Sequence, residues 1–352
     1  MTVYTRLDRE PPFSKDQLTA PGLIFQKWQA WDSFKPGELN RTKCRSEFLH
    51  SIAKSVQTVY KQKYKQWFDR YNLALKNFNT EIIPYKTMWR LLVGWGTNPS
   101  LEAGLTLHPL LGFPYIPGTA VKGLLHHIAE MQAMESGLKN VLEADFRNCP
   151  HEDILKNFQH LNMVRLLFGS IHLEQMQSGN NKIPNGPITP KNVLKGLKDT
   201  LNNQKETLHK GWKSIRDQVN LLLEDHTGGL LTFYDAVPSL AQKELLQVDI
   251  INCHYGDYYR DYSKPEEIHP PSDDQQPVPV TFLAVSPGVE FHFAYSLKKL
   301  DLISLNYVEE PKNYKEQIKR RVDGWVRLGL SEWGVGAKTA AGYGYFEQRS
   351  NN

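Results

Sequence analysis

Apolar residues recur at three- and four-residue steps through residues 41–78: Phe48, Ile52, Val56, Val59, Tyr60, Trp67, Phe68, Tyr71, Leu75 and Phe78. This spacing predicts one long helix with a single packing face. Lys54, Lys61, Lys63, Lys65, Arg70 and Lys76 occupy much of the remainder, so the other face is strongly positive. Pro84 follows the expected end. The run MWRLLVGWG at 88–96 predicts a strand interrupted by Gly94 and Gly96. Over 105–118, Pro and Gly hold an extended, turn-rich lead-in. Thr119 then N-caps a helix from about Ala120, with Val121, Leu124, Leu125 and Ile128 on one side. A second helix is predicted near 152–168, a loop over 178–190 and a polar helical stretch over 191–224.

Strand signals dominate the C-terminal part of the chain, at 230–237, 244–252, 278–285 and 289–297. A Pro- and Asp-rich insertion at 263–277 separates the second from the third, so the last three strands cannot pair as one meander. Ser286-Pro287-Gly288 predicts a hairpin between the third and fourth. A helix over 314–330 and a final strand from near Gly342 complete the order. Without insertions this is strand, helix, two or more strands, helix, strand, the ferredoxin-like (RRM-like) βαββαβ plan of an α+β fold. The chain therefore divides into a basic helical N-terminal extension, residues 1–86, and one ferredoxin-like domain with helical insertions, residues 87–352. Two tandem domains of that kind are the alternative, because 230–297 holds more strand than one hairpin requires.

Composition narrows the class. The chain has 352 residues, 40% hydrophobic and 23% charged, enough to bury a core. Mean hydropathy is −0.50, and no run approaches the roughly 18 apolar residues of a membrane helix. The N-terminus lacks the apolar stretch of a signal peptide. Cys44, Cys149 and Cys253 are odd in number and far apart, which excludes a disulfide scaffold and a CxxC zinc site and fits a reducing cytoplasm. The net charge of +4 conceals a split: residues 1–100 carry 16 Lys/Arg and 8 Asp/Glu, and residues 101–352 carry 26 and 30. A localised basic segment suits a polyanion partner, but from charge alone a solvated helix face is the simpler reading.

Candidate chemistry concentrates in three places. Gly334, Gly336, Gly342 and Gly344 place four glycines in eleven residues. Glycine permits positive φ and close backbone approach, so N–H groups there can form a nest for phosphate oxygens, with Lys338 and Thr339 adding a charge and a hydroxyl. A tight turn into a strand is the plainer alternative. The run is not a P-loop, because Ala337 separates Gly336 from Lys338. Nor is it a GxGxxG loop, because Thr339 replaces the third glycine. The second place is PGTAVKG at 117–123, where a turn at Gly118 leads into a helix N-terminus, a natural anion site. Lys122 lies in that first turn, where a cation makes sense if it meets an anion. Third, DIINCHYGDYYRDY at 249–262 carries four tyrosines, among them Tyr255, and His254. Those rings suit base stacking, or simply fill space under the next loop. Among 12 His there is no HExxH, no HxH and no His/Cys pair at metal spacing, so neither a metal nor a cofactor is expected. Asp235 ends a predicted strand without a close acidic partner and reads as a cap on the following turn.

GFPYIPGTAVKGLLHH, RLLFGS, LLTFYDAVP, VDIINCHYGDYY and GVGAKTAAGYGYF together resemble the RAMP superfamily of CRISPR-associated proteins. Within it they are most similar to the sixth subunits of type III-B (Cmr) effector complexes. The motifs span residues 104–346, and the first hundred residues contribute little. The resemblance implies a ferredoxin-like fold with a glycine-rich loop. It implies a non-catalytic subunit of a ribonucleoprotein, toward the 3′ end of the CRISPR RNA, contacting guide and target RNA in antiviral defence. Partners would be CRISPR RNA, target RNA and the backbone RAMP, small helical and terminal RAMP subunits, with no membrane. The RNA-binding residues would be Gly118, Thr119, Lys122, His254, Tyr255, Gly334, Gly336, Lys338, Thr339 and Gly342. One alternative is a metal-independent RAMP endoribonuclease that processes CRISPR RNA, with His254 or His108 as general base near a lysine. Another is a protein-only assembly subunit.

Overall fold

The computed structural model describes residues 20–26, 42–97, 103–133, 163–169, 228–253, 278–298 and 314–348. The loop at 178–190, the stretch at 191–224 and the insertion at 263–277 lie outside them. Contacts divide the chain into two compact units. One comprises Met1–Pro117, Asp235–Ala294 and Leu330–Asn352; the other comprises Gly118–Tyr234 and Tyr295–Gly329.

The long N-terminal helix forms as its periodicity predicts. It runs as α2 (Thr42–Val59), a π turn (Tyr60–Tyr64) and α3 (Lys65–Asn77), after the short α1 (Pro21–Gln26). Its buried stripe is Phe48, Leu49, Ile52, Val56, Val59, Tyr60, Tyr64, Phe68 and Leu75. From Ile52 to Phe68 the buried positions include four successive four-residue steps. On a regular α-helix each such step drifts by about 40°. The wider π turn takes back part of that drift and keeps Tyr60, Tyr64 and Phe68 on the packing side. Tyr64, absent from the predicted stripe, is among the largest fully buried side chains, whereas Phe78, included in it, is 60% exposed because it lies past the helix end. Lys54, Lys61, Lys63, Lys65, Arg70 and Lys76 are all exposed.

Two longer helices and six strands follow: β1 (Glu81–Thr87), β2 (Leu231–Pro238), β3 (Leu246–Cys253), β4 (Val278–Val285), β5 (Glu290–Leu297) and β6 (Phe346–Gln348). Of the helix expected near 152–168, residues 163–168 are described and are helical. They form a four-stranded sheet ordered β2-β5-β1-β6 and a separate β3-β4 pair. β3 and β4 pair antiparallel from Leu246↔Val285 to Cys253↔Val278, and β1 and β6 antiparallel through Tyr85, Lys86 and Thr87. The helices flanking the sheet strands in sequence are α4 (Gly118–Ala133) and α5 (Tyr314–Leu328). Among the described residues no helix is long and apolar enough to cross a membrane.

Several expectations are corrected. The first strand is β1, not 88–96. Pro84, read as a stop, sits inside β1 but before the residues that pair with β6, where its missing N–H breaks no β1–β6 bond. Residues 88–97 are irregular, bent at Gly94 (φ +80), and pair with a strand through a bridge from Leu91 to Val285. The expected β4–β5 hairpin is a corner between two sheets. Thr87 lies between the strand ends: its N–H donates to the Val289 carbonyl, and its Oγ1 donates to Ser286 and accepts from the Val289 N–H. The last strand begins at Phe346, because Gly342–Gly344 is turn. Asp235 lies within β2 and does not end it.

Tyrosine hydroxyls dock the long helix on β2. Tyr60 donates to the Ser239 carbonyl, Tyr64 to Pro238 and Tyr71 to Asp235. Ala236 exchanges both backbone bonds with Ile116, at 2.8 and 2.9 Å. β2 ends the four-stranded sheet, and an uncovered edge would invite another strand. Here Ile116 and the helix occupy it.

Candidate nucleic-acid interface

The PGTAVKG motif begins α4 at Gly118, two residues before the expected Ala120. The reason for glycine is close packing. A Cβ at Gly118 would lie 2.3 Å from the Phe233 carbonyl oxygen on β2. Val121, Leu125, Ile128, Ala129 and Ala133 form the buried side, and Leu124 is half-buried. Thr119 is exposed and Lys122 half-buried in a first turn that holds no acidic residue. The turn therefore places one ammonium at the helix N-terminus. His126 is taken up by the fold: its ring stacks on Phe168 at 5.0 Å and its Nε2 lies 3.2 Å from Glu130.

The glycine-rich loop follows a π turn, Gly329–Trp333, and contains a short 3₁₀ turn, Thr339–Ala341. Gly334, Gly336, Gly342 and Gly344 all have φ between +74 and +100, and Lys338, at φ +60, shares the left-handed region. Close approach adds to this at two of them. A Cβ at Gly336 would lie 2.1 Å from the Leu92 carbonyl oxygen, and one at Gly344 2.1 Å from that of Val335. Most of the loop's own N–H groups are engaged: those of Val335, Ala337, Ala341, Gly342, Tyr343 and Gly344 donate to backbone carbonyls. The loop is thus a rigid turn that displays side chains more than a bare nest of donors.

What it displays includes residues the sequence did not single out. The irregular segment 88–95 is zipped to the loop. The Met88 N–H donates to Tyr345, Gly344 to Arg90 and Ala337 to Leu92, at 2.7–2.9 Å. Lys338 Nζ lies 4.6 Å from the centre of the Trp95 ring, and Arg90 stacks on Trp89 at the same distance. Trp95 in turn packs edge-on to Phe282 at 4.7 Å. Asp249 on β3 pairs with Arg90 at 3.2 Å and accepts the Tyr343 hydroxyl at 2.6 Å. The available signals were MWR and GWG, two tryptophans beside a cation and two glycines, masked by their reading as a strand.

Burial and the Asp249 carboxylate raise the Tyr343 hydroxyl to about 12. Only its neutral form donates to Asp249. A pKa raised above the ordinary value near 10 stabilises the fold fully below pH 10, and that stabilisation is lost as pH rises towards 12. Tyr343→Phe is accordingly expected to abolish this part of the alkaline loss of stability, read as urea midpoints across pH 9–12. An unchanged alkaline limb would remove Tyr343 from this role.

The predicted site residues fall into three groups. Gly118, Thr119 and Lys122 belong to one unit; Gly334, Gly336, Lys338, Thr339 and Gly342 belong to the other. His254 and Tyr255 lie outside the described residues. His108, the other candidate base, is part of a turn: its ring stacks on Phe113 at 4.8 Å, its Nδ1 accepts the Leu111 N–H, and burial lowers its pKa.

Comparison with known proteins agrees with the motif reading. The Cmr subunit Cmr6 of the CRISPR system of Pyrococcus furiosus is 28% identical over 299 residues, covering 84% of this chain and 76% of that protein. Cmr6 of Saccharolobus solfataricus is 27% identical over 105 residues, 28% of this chain and 37% of that protein. A chain in the type III-B Cmr-beta complex bound to cognate target RNA is 17% identical with a TM-score of 0.44, covering 96% of this chain and 87% of that one. The RAMP superfamily profile matches residues 85–347, from within β1 to within β6, and includes both the PGTAVKG turn and the glycine-rich loop. The chain belongs to the RAMP superfamily, as a protein similar to Cmr6.

Proposed function

We propose that this chain is a non-catalytic, RNA-binding subunit of a type III-B CRISPR (Cmr) effector complex in the cytoplasm, lying toward the 3′ end of the CRISPR RNA and contacting guide and target RNA. The observation that carries this reading is the likeness to Pyrococcus furiosus Cmr6 over 84% of the chain. Its other partners would be the backbone RAMP, small helical and terminal RAMP subunits. A ferredoxin-like core is part of the proposal. Its support is the order β1, α4, β2, β5, α5, β6 with the sheet arranged β2-β5-β1-β6, the arrangement in which the two helix-flanking halves interleave. The β3-β4 pair would then be an insertion. The family match starts at residue 85, inside β1, so the division expected at 86/87 moves to before Glu81: the residues preceding β1 are read as an added basic helical arm and the RAMP domain as beginning with that strand.

The proposed contacts are Gly118, Thr119 and Lys122 at the N-terminus of α4, Gly334, Gly336, Lys338, Thr339 and Gly342 in the glycine-rich loop, and His254 with Tyr255. The lysines would meet phosphates, and the glycines would set the backbone that carries them. Each phosphate contact to single-stranded RNA contributes about 0.7 to the slope of log affinity against log salt. Lys122→Ala with Lys338→Ala should therefore weaken binding and flatten that slope by about 1.4. The RNA should be recovered uncut in EDTA. If the double variant keeps its affinity, slope and assembly, the site assignment is wrong; cleavage in EDTA would overturn the non-catalytic reading.

A further inference from the structure

Trp89 is an aromatic held in place and yet left in water. Its side chain is 47% exposed. The backbone on either side is bonded to the glycine-rich loop, Met88 N–H to the Tyr345 carbonyl and Gly344 N–H to the Arg90 carbonyl, each at 2.9 Å. The Arg90 guanidinium covers the ring at 4.6 Å. Asp249 holds Arg90, and the Tyr343 hydroxyl holds Asp249. A tryptophan that served only the core would bury its ring. This one is braced by an ion pair, a tyrosine and two backbone bonds while half of it stays exposed. The bracing matters because a ring fixed in advance loses little conformational freedom when something stacks on it.

We infer that Trp89 is the stacking platform for one unpaired nucleobase of single-stranded RNA passing the glycine-rich loop, with Arg90 and Lys338 providing positive charge for the adjoining phosphates. This rests on the RNA-binding reading above. Any base offers a π face, so such a contact is tolerant of sequence. RNA is favoured over a protein partner by charge. Lys338 lies on the Trp95 indole as Arg90 lies on Trp89, and Asp249, only 10% exposed, is engaged by Arg90 and Tyr343, while the exposed acids Glu332 and Glu347 stand outside the loop, on either side of it in sequence.

The test uses the full chain with a short labelled oligouridylate and an oligomer of equal length that lacks bases, followed by fluorescence anisotropy. Wild type should bind the base-bearing strand more tightly. Trp89→Ala should weaken that binding about 5- to 150-fold, leave the abasic strand bound as in wild type, and be largely rescued by Trp89→Phe. If Trp89→Ala binds both strands as wild type does, the stacking inference is wrong while RNA binding stands. If wild type binds neither strand, the RNA-binding reading itself falls. Normal RNA binding with loss of a neighbouring subunit would assign Trp89 to a protein interface and overturn the inference.

Discussion

Alanine at Gly336 should destabilise the chain by roughly 3–5 kcal/mol, whereas alanine at Gly342, in the same loop, should cost only about 1–2 kcal/mol. Both glycines have positive φ, +100 and +88. What separates them is space. The added Cβ at Gly336 meets the Leu92 carbonyl oxygen at 2.1 Å, while at Gly342 nothing lies within 4 Å. The Leu92 oxygen cannot yield cheaply, because it accepts the Ala337 N–H at 2.7 Å and Leu92 is itself fully buried. Gly342→Ala therefore bears backbone strain alone, and Gly336→Ala adds a collision between two main chains. The same collision would disturb the segment that carries Trp89 and Arg90, so RNA affinity should fall with stability. Urea midpoints of the two variants decide the matter. Equal costs would mean that the loop does not press on 88–95 as described.

This pair of glycines also shows where reading the sequence reached its limit. Composition marks the run as unusual, but which glycine answers to φ and which to a neighbour depends on Leu92, more than two hundred residues away in the chain. Gly118 is similar: it reads as a turn before a helix, and its tighter constraint is the Phe233 carbonyl. Patterns confined to one element were legible. The 41–78 periodicity found the long helix, and β2–β5 emerged close to their expected bounds because β-branched and aromatic runs are local signals. Partner choice was not legible. Ser286-Pro287-Gly288 does make a tight turn, yet Thr87 takes the hydrogen bonds that would have joined β4 to β5. Of the candidate site, Lys338 could be read from its glycines. The Arg90–Asp249–Tyr343 group could not, since its members come from three distant segments with no common motif.

Tyr64→Ala should cost about 3–5 kcal/mol, and Tyr64→Phe about 1–3 kcal/mol. The side chain is 1% exposed and packs against Tyr60, Phe68 and Phe113, with ring centres 4.6, 5.5 and 4.8 Å away. Alanine leaves a cavity between the long helix and the sheet. Phenylalanine keeps the packing but leaves the Pro238 carbonyl without the hydroxyl that now donates to it. A pH signature separates the two losses. Burial, with Tyr60 and Tyr71 nearby, raises the Tyr64 hydroxyl well above its ordinary value near 10. Its stabilisation is complete below pH 10 and declines above it, so Tyr64→Phe should be less sensitive to alkali than wild type even though it is less stable at neutral pH. The π turn raises the stakes of this one position. Tyr64 ends it, and Lys61 and Lys63 lie within it. If the turn exists to bring Tyr64 onto the packing face, Tyr64→Ala removes its reason, and the helix can relax towards regular α geometry and rotate the exposed lysines. Backbone amide exchange over 60–64 would register that relaxation as a local change in protection. A Tyr64→Ala cost below about 1 kcal/mol, with protection unchanged, would show that the helix is not docked through this ring.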